Sequence, residues 1–154
     1  MLDSYRGVVV VVNKWDLVEK DEHTMNAYRA KLEEKMAPFS DVPVIFTSNV
    51  TKQRVFKALE AALHVHHQRG LKISTSELNE EFLPICRDQP PPIYKGKSVS
   101  IKYITQIPSQ VPTFAFYCNL PQYIKDPYKR FLENRFRERY DFSGVPIRLF
   151  FRKK

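Results

Sequence analysis

The sequence predicts an α/β fold in two parts, a β-α-β-α segment followed by a smaller α-β-β-α-β module. Three observations carry this. Val8 to Val12 is an unbroken run of valines, which lacks the polar alternation of a half-wet strand and so predicts a parallel-sheet strand buried on both faces. Two stretches of helical spacing follow it, separated by a second short apolar run. After Gly70 the pattern changes to two-residue alternation interrupted by prolines.

Each element has its own signal. His23 to Met36 predicts a helix with Met25, Tyr28, Leu32 and Met36 on its inner side and Pro38 marking its end. Val42 to Phe46 predicts the second strand, ending in Thr47-Ser48-Asn49. Val55 to His67 predicts a second helix with Val55, Leu59, Ala62, Leu63 and His66 inward, closed by Gly70 as a left-handed cap. Two strands cannot make a stable parallel sheet alone, so this segment reads as half of a doubly wound domain.

In the second part, a helix begins near Ser76 with Leu78, Phe82 and Ile85 on one side, and Ser74 and Glu77 stand at capping-box spacing. Pro84 is expected to bend its last turn. Asp88 to Lys97, DQPPPIYKGK, is a proline-stiffened connector. Val99, Ile101 and Tyr103 alternate with polar residues, and Phe114, Phe116 and Cys118 repeat the pattern, predicting two strands. Asp126-Pro127 reads as an N-cap with proline at the first helical position, and Tyr128, Phe131, Leu132, Phe136 and Tyr140 form that helix's inner stripe. A DFSG turn feeds a final strand in which Ile147, Leu149 and Phe151 face one way and Arg148, Phe150 and Arg152 the other.

Composition limits the function classes. With 43% hydrophobic and 13% aromatic residues, the chain can bury ordinary cores. No stretch approaches a membrane span, and the start, Met1 to Arg6, has neither an apolar core nor a cleavage site. The expected compartment is the cytosol, without a membrane partner. Cys86 and Cys118 are too few for a disulfide framework or metal cluster and read as free thiols. His64, His66 and His67 crowd a helix end and read as solvated, with no metal site. The formal charge of +8 is uneven: residues 1 to 70 carry 10 basic and 9 acidic residues, net +1, and residues 71 to 154 carry 15 and 8, net +7. A field concentrated in the second part points to a phosphate-bearing partner.

The sequence NKWD, Asn13 to Asp16, directly follows the valine run. A carboxylate at Asp16 can accept two hydrogen bonds from the ring N1–H and exocyclic amine of guanine, donors that adenine does not offer in that arrangement. Lys14 can lay its stem along the purine face, and Asn13 can tie neighbouring loops. Ser48-Asn49, at the end of the next strand, is placed to close the pocket, since ligands of parallel sheets bind beyond the strands' carboxyl ends. Gripping phosphates requires G-x-x-x-x-G-K-[ST], which the four glycines, Gly7, Gly70, Gly96 and Gly144, do not form. Asp141 to Gly144 matches Asp-x-x-Gly but lies between a helix and an edge strand, and reads as a turn. No catalytic or metal-holding residue is identified, and the chain alone is expected to be inactive toward GTP.

Val8 to Asp16, QPPPIYKGKSVSIKY (Gln89 to Tyr103), DPYKRFLENRFRE (Asp126 to Glu138) and SGVPIRLFFRK (Ser143 to Lys153) resemble the C-terminal part of the Der, or EngA, family, bacterial GTPases with two tandem GTP-binding domains. The resemblance implies that residues 1 to 70 are the end of the second GTPase domain, a partial P-loop-GTPase-type segment, and that residues 71 to 154 are a KH-like domain. It implies GTP or GDP as cofactor, bound here at the guanine end only, with Mg2+ expected only in the full-length protein. It also implies a role in assembling the large ribosomal subunit. Asn13, Lys14 and Asp16 match the family's guanine motif and Ser48 its companion loop. Asn49 stands where alanine is usual, and Lys52-Gln53-Arg54 where glycines are.

Partners would be ribosomal RNA and the GTPase domains of the same full-length protein. Candidate RNA contacts are Lys102, Arg148 and Arg152 on the open sheet face and Lys129, Arg130 and Arg137 on the last helix. Tyr117 and Phe150 interleave with them and could stack on bases. No Gly-x-x-Gly is present, the element with which ordinary KH domains clamp a backbone. The alternative is a protein-interaction module that docks on GTPase domains and senses their nucleotide state without touching RNA.

Overall fold

A computed structural model describes residues 6–18, 22–36 and 41–154. Pro38, expected to mark the end of the first helix, and residues 1–5 lie outside them. The order of elements is β1 (Val10–Val12), α1 (Glu22–Met36), β2 (Val44–Phe46), α2 (Val55–Arg69), α3 (Thr75–Asp88), β3 (Ile101–Gln106), β4 (Thr113–Cys118), α4 (Asp126–Arg139) and β5 (Arg148–Lys153). Short 3-10 turns cover Trp15–Leu17 and Pro121–Tyr123. The α/β class and the element order follow the sequence reading.

The chain forms two compact units: one runs to Arg69 and takes in Phe142–Val145, the other comprises Gly70–Asp141 and Pro146–Lys154. In the first unit, β1 and β2 pair in parallel with Val10 opposite Val44 and Val12 opposite Phe46. The ladder continues past the strands, since Thr47 N–H donates to the Val12 carbonyl at 2.8 Å and Trp15 N–H to the Thr47 carbonyl at 3.0 Å. Buried Trp15 packs on Phe46 at 4.4 Å and edge-on against Tyr28 of α1 at 5.7 Å. At the far end of β1, Val8 N–H donates to the Gly144 carbonyl at 2.8 Å, and Gly144 N–H donates to the Asp41 carbonyl at 3.0 Å.

The valine run departs from the reading. Its strand is three residues long and Val11 is 49% exposed, because the described sheet has only two strands and one of its faces is uncovered there. The predicted stripe of α2 is also displaced: Leu59 and Leu63 are exposed together with Phe56, and Val65 is the buried residue. Gly70 does not take the left-handed conformation expected of it; among the described glycines only Gly96 and Gly144 have positive φ.

The second unit is a three-stranded sheet in the order β3-β4-β5, β3 and β4 antiparallel, β4 and β5 parallel. Its core joins Leu78 and Phe82 of α3, Ile104 of β3, Phe114, Phe116 and Cys118 of β4, and Leu132 and Phe136 of α4, all fully buried. The Phe136 ring stacks on Phe82 at 4.0 Å and on Phe114 at 4.2 Å. Both thiols are free and buried, and burial pushes Cys86 up to about 11.

α3 is capped as read, with Glu77 N–H donating to Ser74 Oγ at 3.2 Å, but it starts at Thr75 and continues through Pro84 to Asp88. The cap of α4 differs. Lys125 takes the N-cap and Asp126 is already helical, its carboxylate turned to Lys129 at 2.8 Å. The open edge of β3 is closed by a side chain: Ile104 N–H donates to Asn79 Oδ1 at 2.8 Å, and Asn79 Nδ2 donates to the Ile104 carbonyl at 2.9 Å. An amide thus replaces a neighbouring strand and blunts the edge.

Candidate functional site

The carboxyl ends of β1 and β2 bring the NKWD loop against the Thr47–Arg54 loop within the first unit. Lys14 is left-handed at φ 59°, which turns the chain out of β1 into the 3-10 turn holding Trp15 and Asp16. Trp15 anchors that turn in the core, so its polar neighbours are carried on a buried ring, with Asn13 and Lys14 exposed and Asp16 half-buried. Ser48, fully buried, donates its hydroxyl to Asp16 Oδ1 at 2.5 Å. A carboxylate has about four lone-pair sites, so accepting one hydroxyl leaves capacity for a pair of N–H donors.

The second loop is closed on itself. Ser48 and Gln53 exchange backbone hydrogen bonds at 3.2 and 3.0 Å, and Thr51 N–H donates to Ser48 Oγ at 3.2 Å. Lys52 and Arg54 have φ of 55° and 56°, the left-handed region that glycine enters without strain. Asn49 is exposed at the turn after Ser48. Asn13, Lys14, Asp16, Ser48 and Asn49 are therefore brought to one end of the sheet. Sequence reasoning missed Thr47, whose buried hydroxyl reaches Asn13 Oδ1 at 3.4 Å, and Gln53, which latches the loop. A hydroxyl placed directly after an apolar strand was the available signal for Thr47.

In the second unit, strand alternation and register place Tyr103, Thr105, Ala115, Tyr117, Arg148, Phe150 and Arg152 on the sheet face away from the helices. Tyr103 and Tyr117 stack in parallel at 4.3 Å, Lys154 lies 5.6 Å over the Tyr103 ring, and the Arg148 guanidinium lies 4.8 Å over Phe150. Desolvation, and then the neighbouring Tyr117, push the Tyr103 phenol up. Lys102 is not in this row: the bulge between Ile101 and Tyr103 leaves it exposed near Cys118, which faces the helices.

The helix candidates divide. Lys129 pairs with Asp126, and Arg137 pairs with Glu133 at 3.0 Å, whereas Arg130 is exposed. The groove of about 300 Å³ between α3 and α4, lined by Phe82 and Ile85, carries paired charges, Arg139 with Glu81 and Arg135 with Glu138. Arg139 holds the Glu81 carboxyl below its usual range. Among the described residues no cluster could hold a metal ion, and no helix is long and apolar enough to cross a membrane.

Comparison with known proteins gives the lineage. The profile of the family described as "KH-domain-like of EngA bacterial GTPase enzymes, C-terminal" matches residues 72–152, more than half of the chain. A protein named GTPase Der from Christiangramia forsetii is 55% identical over 151 residues, 98% of this chain and 35% of the relative. GTPase Der of Phocaeicola vulgatus is 54% identical over 153 residues, again 98% and 35%, and that of Amoebophilus asiaticus 46% over 149 residues, 97% and 34%. The chain spans about a third of the length of these relatives. With a stretch this long shared at such identity, the chain belongs to the Der, or EngA, family of bacterial GTPases, and carries its KH-domain-like C-terminal part.

Proposed function

We propose that the chain supplies the guanine-reading end of a GTP-binding protein together with a KH-like module that meets ribosomal RNA. In this reading residues 1 to 70 close a GTPase domain and residues 71 to 154 form the module. The observation that carries it is the bond between Ser48 and Asp16, which joins the two loops that a guanine base would lie between. Asp16 accepts from the N1–H and N2–H2 edge, Lys14 covers the ring, and Asn13 with Thr47 holds the loops in register. The phosphates and Mg2+ of GTP or GDP would be held by segments outside this chain, which has no phosphate-binding loop of its own. Work on the large ribosomal subunit is the role this reading assigns to the whole protein.

The base-reading half is tested by Asp16→Asn in the longer protein. An amide offers a donor where guanine offers another, so GDP affinity should fall by two orders of magnitude or more, roughly 3 kcal/mol for a lost charged pair of bonds. Xanthosine diphosphate, which carries a carbonyl in place of the exocyclic amine, should gain affinity in the same variant. Unchanged GDP binding in calorimetry would remove Asp16 from the site and the reading with it.

One observation favours a second reading for the module. The exposed Phe150 beside the stacked tyrosines suits protein docking, with a GTPase domain of the same protein as partner. Arg148→Glu with Arg152→Glu separates the two. RNA binding lost with docking intact supports the RNA role, and the converse supports docking.

A further inference from the structure

The connector between α3 and β3 ends in a feature that the roles above leave unused. Tyr94 and Lys97 exchange both backbone hydrogen bonds, at 3.1 and 3.0 Å, closing a two-residue hairpin whose central residues, Lys95 and Gly96, have φ of 50° and 71°. Positive φ at both positions is the type I′ pattern, which favours Asn-Gly or Gly-Gly. Lysine at the first of them costs about 1 kcal/mol of backbone strain. The turn stands clear of the protein, since a Cβ on Gly96 would meet nothing within 4 Å.

Two rings and three ammonium groups gather here. Tyr94 and Tyr123 lie 5.5 Å apart at an angle of 37°. Lys125 sits 4.6 Å and Lys95 5.7 Å from the Tyr94 ring, and Lys97 sits 5.8 Å from the Tyr123 ring. All three lysines are exposed, and among the described residues none forms an ion pair with a carboxylate. Asp126, beside Lys125 in the chain, is taken by Lys129 at 2.8 Å. Each exposed cation–π contact contributes only about 0.5–1 kcal/mol, and the three like charges repel one another. A ligand that brings both negative charge and stackable rings relieves the repulsion and uses the ring faces.

We propose that this hairpin tip, Tyr94, Lys95 and Lys97 with Tyr123 and Lys125, is a contact site for single-stranded RNA. The lysines neutralise phosphates and the tyrosines stack on one or two unpaired bases. A duplex keeps its bases inside, and an acidic peptide brings charge without aromatic rings, so neither uses the whole cluster. The inference rests on the reading of this unit as an RNA-contacting module, and adds a site separate in sequence from the residues assigned to the open sheet.

The test is fluorescence anisotropy of the whole chain with a labelled oligouridine of about a dozen nucleotides, and with a duplex of the same length, over a series of KCl concentrations. Lys95→Gln, Lys97→Gln and Lys125→Gln combined should lower the salt slope on the single strand by about 2, since each phosphate contact contributes roughly 0.7. Tyr94→Leu with Tyr123→Leu should lower single-strand affinity about tenfold, the effect of one lost stacked base, and leave duplex binding unchanged. The corresponding Lys→Arg triple variant should bind like the parent, and circular dichroism should show all variants folded. If the parent binds RNA and both loss variants bind it with the parent's affinity and slope, the site is wrong and the wider reading stands. If the tyrosine variant binds normally while polyglutamate competes as well as RNA, the tip is an acidic-protein contact and the inference fails. If the parent shows no salt-dependent RNA binding, the wider reading fails too.

Discussion

Lys14, Lys52 and Arg54 have φ of 59°, 55° and 56°, so three non-glycine residues in the two loops proposed to read guanine occupy a conformation that costs an L residue of order 1 kcal/mol. Arg54→Gly removes that cost while leaving the Ser48–Gln53 latch in place. It should raise stability by up to about 1 kcal/mol, reduced by the added freedom of glycine in the unfolded chain, with urea denaturation as the measurement. The meeting of NKWD and Ser48 at one end of the sheet was legible in the sequence because each closely follows an apolar run. The loop's shape was not. Lys52 and Arg54 give no local signal for a left-handed backbone; their conformation is imposed by the exchange of bonds between Ser48 and Gln53. The direct bond from Ser48 to Asp16 depends on parallel register, which a single sequence does not print.

Among the elements, α3, β4 and β5 were read closely because their signals are local, whereas in β3 the bulge between Ile101 and Tyr103 turns Tyr103 to the open face and puts Ile104 in the core, which plain alternation from Val99 does not foresee. A capping serine, a 3.6-residue stripe and a two-residue alternation each act within a few positions. Ser74→Ala should cost about 1 kcal/mol through the lost bond to Glu77 N–H, visible as a lower urea midpoint at unchanged m-value. The α4 cap was misread because Asp126 has two competing uses, and its pairing with Lys129 inside the first turn won. That pairing, with smaller help from Arg130 and Lys125, holds the Asp126 carboxyl low. The inner stripe of α2 failed for a different reason. Helical periodicity reports which side is apolar, not whether anything covers it, and Phe56, Leu59 and Leu63 are apolar residues left exposed on the described surface.

At the scale of the whole chain, nothing in the sequence announces that Phe142–Val145 belongs with the first unit. Phe142 and Val145 are buried, and Gly144 at φ 69° would bring a Cβ to 2.4 Å from the Val8 carbonyl, 2.9 Å from Pro43 and 3.0 Å from Val65. Gly96 has nearly the same φ and no neighbours within 4 Å. The pair separates backbone strain from crowding. Gly96→Ala should cost about 1 kcal/mol from conformation alone, and Gly144→Ala roughly 2 kcal/mol more from forced displacement, both measured by thermal or urea unfolding. Equal costs would mean that the 142–145 segment yields freely.

That threading has a consequence for synthesis. A polypeptide leaves the translating machinery from its amino end, so β1 emerges long before the glycine whose carbonyl receives the Val8 N–H. The first unit must wait, with one donor unanswered, until α4 of the second unit has already been made. Its completion therefore follows the synthesis of α4 and is timed by the emergence of Gly144.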